Sequence, residues 1–198
     1  STPSGGTNIE GGLQLAYNLI NQANANRTLA GIKNVNVILL TDGCPTFHIS
    51  SGKTSTDTIS GESGGSSVAF YKDYHPVDGA DGIAQKIKTT KINDSNISLY
   101  SIAFATGTDS KFYKDGAKWK ESWSGSYVDG HLETSSNYTS VYNWLASFSS
   151  QAFKSSDTSG LKKNFENILK LIQLGAQAWN VTDPMAENII YEGENSSA

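Results

Sequence analysis

Apolar residues recur along this chain at several distinct spacings. After a loop over residues 1–6, Leu13, Ala16, Tyr17, Ile20 and Ala23 return every three or four positions. Beginning at Thr7-Asn8-Ile9-Glu10, that spacing predicts an amphipathic helix of about 18 residues, with Gly31 marking its end zone. Val35 to Thr41 is apolar nearly throughout and β-branched, which predicts a strand buried on both faces, as in a parallel sheet covered by helices. Ile83, Ala84 and Ile87 predict a short helix over 79–91. Asn96 to Phe104 reads as a second strand, bounded by Thr106-Gly107. Val141, Leu145 and Phe148 predict a helix over 138–149. Leu161, Phe165, Ile168, Leu169 and Ile172 predict a long last helix entered through Ser159, and Phe153-Lys154-Ser155-Ser156 before it does not read as a buried strand. Ala176 to Val181 reads as one more strand before Asp183-Pro184.

Two stretches interrupt this order. Residues 44–79 are rich in Ser, Thr and Gly, with aromatics only near Phe70-Tyr71 and Tyr74. Residues 107–136 carry Trp119, Trp123 and Tyr127. Both are too long for structureless loops in a compact domain, so each is read as an insertion, the first with structure of its own. Helices alternating with strands predict an α/β fold with a doubly wound, mostly parallel sheet.

Composition narrows the function classes. In 198 residues, 27 serines, 16 threonines and 16 asparagines replace much of the usual charge, and charged residues make up only 17%. Net charge is −4 and Arg27 is the sole arginine, so the basic footprint of a nucleic-acid binder is absent. The longest apolar run, Val37–Leu40, is far too short for a membrane span. Cys44 stands alone, which leaves no partner within the chain for a disulfide. Polar, thiol-poor composition points to a secreted or surface protein, and a start at Ser1 without Met to a processed or truncated piece. Sequons at Asn26, Asn93, Asn96, Asn137, Asn180 and Asn195 are the chance matches such a composition generates.

Candidate chemistry lies where strands end. In open α/β sheets, ligands bind outside the carboxyl ends of the strands. Asp42 occupies that place on the first strand, and Thr7 begins the helix before it. Together they offer a carboxylate and a hydroxyl, hard oxygen donors suited to Mg²⁺, Mn²⁺ or Ca²⁺. Simpler roles stand beside this one. Thr7 and Glu10 match a capping box, and Asp42-Gly43 is a common strand-to-turn pair. His48, His75 and His131 share no ligand spacing and read as loop or surface residues. Asp157 or Ser159 reads as the cap of the last helix. Trp119, Trp123, Tyr127, Tyr138, Tyr142 and Trp144 form either a sugar-stacking surface or packing within the second insertion. Neither a Gly-x-Ser-x-Gly nor a phosphate-cradling motif occurs, so no enzyme is expected.

Ser4-Gly5-Gly6-Thr7-Asn8-Ile9-x-x-Gly12-Leu13, followed by Val37-Ile38-Leu39-Leu40-Thr41-Asp42-Gly43-x-Pro45-Thr46, resembles the von Willebrand factor A domain. The closest flavour is that of Gram-positive surface and pilus-tip adhesins. The resemblance covers residues 1–174, with insertions at about 44–79 and 107–136. It implies a metal-ion-dependent adhesion site to which Thr7 and Asp42 contribute. The family's first ligand loop, Asp-x-Ser-x-Ser, belongs before Thr7 and is expected to lie outside this chain with its strand and helix. Asp157-Thr158-Ser159-Gly160 imitates it, but Leu161 stands at the final serine position. A dication prefers about six oxygen ligands, so no tight site is expected in this chain alone. A missing central strand would also expose strand edges and apolar helix faces.

The resemblance further implies an extracellular adhesion module on a bacterial pilus or cell wall. Its partners would be a host matrix or cell-surface protein, other pilus subunits and the missing N-terminal half of the domain. Residues 175–198 resemble the segment that returns to a neighbouring Ig-like stalk; an edge strand of the same sheet is the other reading. Cys44 is either paired with a cysteine outside the chain or simply small and buried. A carbohydrate-binding module built on the aromatic insertion and a structural pilus spacer are the alternative functions.

Overall fold

The computed structural model describes residues 6–49, 68–104, 111–115, 119–120, 127–128 and 138–177. In chain order the elements are α1 (Ile9–Ala25), β1 (Asn36–Thr41), β2 (Val68–Phe70), α2 (Tyr71–Asp78), α3 (Ile83–Thr89), β3 (Lys91–Ile92), β4 (Ser95–Asn96), β5 (Ser98–Phe104), β6 (Lys111–Asp115), β7 (Trp119–Lys120), β8 (Tyr127–Val128), β9 (Tyr138–Ser140), α4 (Val141–Phe148), β10 (Gln151–Ser155) and α5 (Thr158–Gln177). The fold is α/β. Its main sheet has three parallel strands in the order β1-β5-β10, with Val37 opposite Leu99 and both Leu40 and Phe153 opposite Ile102.

Strand alternation divides the core in two. One face of the sheet, through Val37, Leu99 and Ala103, packs on Ile9 and Leu13 of α1, Tyr74 and Val77 of α2, Ile83 and Ile87 of α3, and Val141, Trp144 and Leu145 of α4. The other face, through Tyr100 and Ile102, packs on Ile168 of α5, with Phe153, Leu161 and Ile172 partly buried around it. Helices therefore flank the sheet on both sides. The second face is covered only in part, because α5 lies over β5 and β10.

That partial cover corrects the expectation that the first strand is buried on both faces. Ile38 and Leu40, which share a face with Tyr100 and Ile102, are 38% and 46% exposed. No other described strand pairs with β1 on its outer side. Phe165 and Leu169 of α5 are exposed as well.

Other differences are local. Residues 153–155 do belong to a sheet strand: β10 is the opposite edge of the sheet, with Ser155 buried and Phe153 half-buried. Its exposed Gln151 and Lys154 hid it from a search for apolar runs. The first irregular stretch contains β2 and α2, and Tyr74 and Val77 of α2 are fully buried in the main core. β2 pairs with β6, and β6 with β9, so the two irregular stretches join in one small sheet. Residues 176–177 are the last of α5 rather than the start of a strand, and the remainder of the proposed tail, 178–198, lies outside the described residues. Gly31 sits after α1 at φ 79°, a backbone region that favours glycine.

Of the two candidate caps of α5, Asp157 rather than Ser159 takes the role, and the helix begins at Thr158. The carboxylate of Asp157 accepts the Gly160 N–H at 2.7 Å, which makes Asp157 the cap. Asp157→Ala is expected to lower stability by about 1 kcal/mol. Thermal unfolding would show this as a reduced midpoint, and Asp157→Asn, which keeps the acceptor, should stay close to wild type.

Candidate functional site at the carboxyl end of β1

β1 delivers Thr41 to its carboxyl end, and a side-chain turn follows. The buried Thr41 hydroxyl donates to the Gly43 carbonyl at 3.0 Å and accepts the Gly43 N–H at 3.4 Å. Asp42, at the head of this turn, is exposed and forms no hydrogen bond with a described residue. The chain then runs back across the start of α1. The Thr7 N–H donates to Thr46 Oγ1 at 2.8 Å, and the Thr7 carbonyl accepts the N–H groups of Thr46 and Phe47 at 2.9 and 3.1 Å. A β-carbon placed on Gly43 would stand 3.6 Å from Thr7 Oγ1. The Thr7 hydroxyl therefore abuts the residue that follows Asp42.

The capping box is corrected. Asn8, not Thr7, caps α1, its side-chain oxygen accepting the Gly11 N–H at 2.9 Å. Glu10 does not reach back along its own helix; it accepts the Ile49 N–H at 2.7 Å. Asn8 takes the cap, while the backbone of Thr7 is bonded to Thr46 and Phe47. The Thr7 hydroxyl is thus left out of the capping role that spacing alone suggested.

Segment 44–49 has two further fastenings. Ile49 is tied to α1 through Glu10, and His48 Nδ1 lies 2.8 Å from an Asp73 oxygen on α2. Asp73 is 1% exposed, so His48 is a paired loop histidine. His75 lies within α2 and is half-buried, and His131 falls outside the described residues. Burial pushes the Glu10 carboxyl above its ordinary 4.5, more than its hydrogen bond to Ile49 and the nearby His48 and Lys86 pull it down. An acid raised in the folded state contributes stability that is full below its unfolded value and lost as pH rises through the folded one. Glu10→Gln keeps an acceptor for Ile49 and removes that dependence. Urea unfolding below pH 4.5 and at neutral pH should show the variant gaining on wild type at the higher pH.

Cys44 is a buried thiol outside any disulfide within the chain, and burial pushes it up to about 11. Such a thiol is held as the neutral form and packs as a small apolar residue. Two members of the aromatic group have described side chains. Trp144 is buried in the core with its indole N–H on Asp78 at 2.7 Å, and Tyr142 packs half-buried against the same core. Trp119 and Tyr127 stand on the β7-β8 ribbon, Tyr138 on β9, and Trp123 lies outside the described residues. Asn93 among the sequons spends its amide on the carbonyls of Leu29 and Ile32, at 2.6 and 2.9 Å.

A threonine hydroxyl and an exposed carboxylate with no described partner, at one strand end, fit two places in a hard cation's shell; the other places must be filled from elsewhere. Among the described residues, no group of three or more His, Cys, Asp or Glu side chains is gathered around a common point. None of the described helices is long and apolar enough to cross a membrane. Thr46, Phe47 and Asp73 were not anticipated as parts of this region. Contacts 39 and 25 residues apart leave no local spacing to read, although Pro45-Thr46, one residue beyond Asp42-Gly43, is a visible sign. Compared with protein-family models, curated proteins and solved structures, the chain matches none.

Proposed function

We propose that this chain is the later part of a von Willebrand factor A domain, with a doubly wound sheet, from a Gram-positive surface or pilus-tip protein. It serves cell adhesion outside the bacterium, without catalysis. In the intact domain Thr7 and Asp42 are two members of a metal-ion-dependent adhesion site holding Mg²⁺, with Mn²⁺ or Ca²⁺ as substitutes. The cation polarises an oxygen donor of the host ligand that completes its shell, and Asp42 acts directly or through a water. The observation that carries this reading is the Thr7 hydroxyl standing against Gly43, one residue beyond Asp42, at the carboxyl end of a parallel strand.

The missing N-terminal half of the domain is the first partner. Its strand pairs with the free edge of β1, and its helix covers Ile38 and Leu40 beside Phe165 and Leu169. Two features support that arrangement. All-parallel sheets are ordinarily covered on both faces, whereas Ile38 and Leu40 are bare. Free edges are ordinarily blunted by charge or proline. β10 carries Lys154, but β1 (Asn36-Val37-Ile38-Leu39-Leu40-Thr41) carries neither. Further pilus subunits and a host extracellular-matrix or cell-surface protein are the outer partners.

The test is metal removal. Full-length protein immobilised over host matrix proteins should lose binding in EDTA and regain it on adding Mg²⁺ or Mn²⁺. Binding indifferent to chelator would refute the metal-dependent reading.

A further inference from the structure

We infer that Thr46 is the positioning residue for Thr7, its hydroxyl fixing where the Thr7 hydroxyl stands at the end of β1. This deepens the proposed adhesion site and rests on that reading for its purpose, but not for its geometry. Thr7 precedes the first residue of α1, where a chain entering a helix is free to pivot. Three hydrogen bonds remove that freedom. Thr46 Oγ1 takes the Thr7 N–H, while the Thr7 carbonyl takes the N–H groups of Thr46 and Phe47. The exchange is reciprocal, so Thr7 is gripped on both sides of its Cα and its Cα–Cβ bond is held in one direction.

The grip itself is anchored. Thr46 is 6% exposed, between the fully buried Pro45 and the half-buried Phe47, which keeps its hydroxyl from solvent. Beyond it, Ile49 is fastened to Glu10 and His48 to Asp73. Before it, Thr41 closes the turn at Gly43. Segment 44–49 is therefore a strap tied at both ends, and Thr46 is the point at which it holds Thr7. Gly6 belongs to the same device. A β-carbon there would run into the Phe47 ring and stand 2.6 Å from Thr46 Oγ1, so only glycine lets the chain pass beneath the strap.

A hydroxyl acceptor is what the position requires, and two substitutions separate that need from packing. Thr46→Val keeps the shape and removes the acceptor; Thr46→Ser keeps the acceptor and removes a methyl. In the 198-residue chain, amide exchange at Thr7 and the nuclear Overhauser contact between the Thr7 side chain and the Gly43 α-protons report the geometry. Thr46→Val should speed Thr7 exchange about tenfold and lose the Gly43 contact, while Thr46→Ser keeps both near wild type. A contact to Gly43 that survives in Thr46→Val would overturn the inference. Equal loss in both variants would overturn it too, since the methyl and not the hydroxyl would then be at work. Mn²⁺ titration of full-length wild type addresses the metal reading separately, because its failure leaves the Thr7–Gly43 contact unchanged.

Discussion

Asp42→Ala in the full-length protein should cost about a hundredfold or more in Mg²⁺ or Mn²⁺ affinity, and cation-dependent adhesion with it. Even outer-sphere partners of a bound metal are worth 10- to 100-fold. Stability should barely move, because Asp42 is exposed and holds no described partner. Substitutions at such surface positions usually stay within about 0.5 kcal/mol. Loss of binding without loss of folding is the signature of a ligand rather than a turn residue. Calorimetric titration with Mn²⁺ and urea unfolding of the same preparation read both quantities. A stability loss of several kcal/mol would return Asp42 to a structural role in the turn after β1.

The second large effect concerns the bare face of β1. Leu40→Asp should be nearly neutral in the 198-residue chain, where the side chain is already 46% exposed. In the full-length protein the same change would place a carboxylate beneath the helix proposed to cover that face, and an uncompensated buried charge costs several kcal/mol. Ile38→Asp should behave alike, whereas Lys154→Asp on the opposite edge should not. Urea unfolding of each variant in both lengths measures the difference. Equal effects of Leu40→Asp in the two contexts would mean that nothing covers β1, and the partner assigned to that edge would be withdrawn.

Much of the scaffold was readable because its signals are local. Helical spacing found α1, α3, α4 and α5, and continuous apolar runs found β1 and β5, each within a few residues of its observed bounds. β10 escaped for a physical reason. An edge strand presents one face to the core and carries polar residues to protect its free side, so Gln151-Ala152-Phe153-Lys154-Ser155 shows no apolar run. β1 was misjudged in the opposite direction. Its composition suits burial on both faces, but burial is a property of neighbours, and the described residues supply a cover for one face only.

At the candidate site, the end of one strand and the start of one helix were readable, and the fold does bring Thr7 against Gly43 beside Asp42; local spacing misassigned the cap of α1. Thr7-x-x-Glu10 satisfies the capping-box pattern, yet Asn8 caps the helix and Glu10 turns to Ile49, because bonds formed 39 residues away outbid the local arrangement. Nothing in the sequence between Thr7 and Thr46 encodes their encounter except the fold that carries β1 past the start of α1. Tyr74 and Val77 teach the same lesson from the core side. Their surroundings read as a polar insertion, but α2 completes the packing over α1 and α3.

Anomalous diffraction from crystals of the full-length protein grown with Mn²⁺ tests the central claim most directly. A single strong peak is predicted at the carboxyl end of β1, at coordination distance (roughly 2 Å) from Thr7 Oγ1 and within reach of Asp42 directly or through one water. Manganese bound elsewhere, with Thr7 and Asp42 outside its shell, would contradict the account.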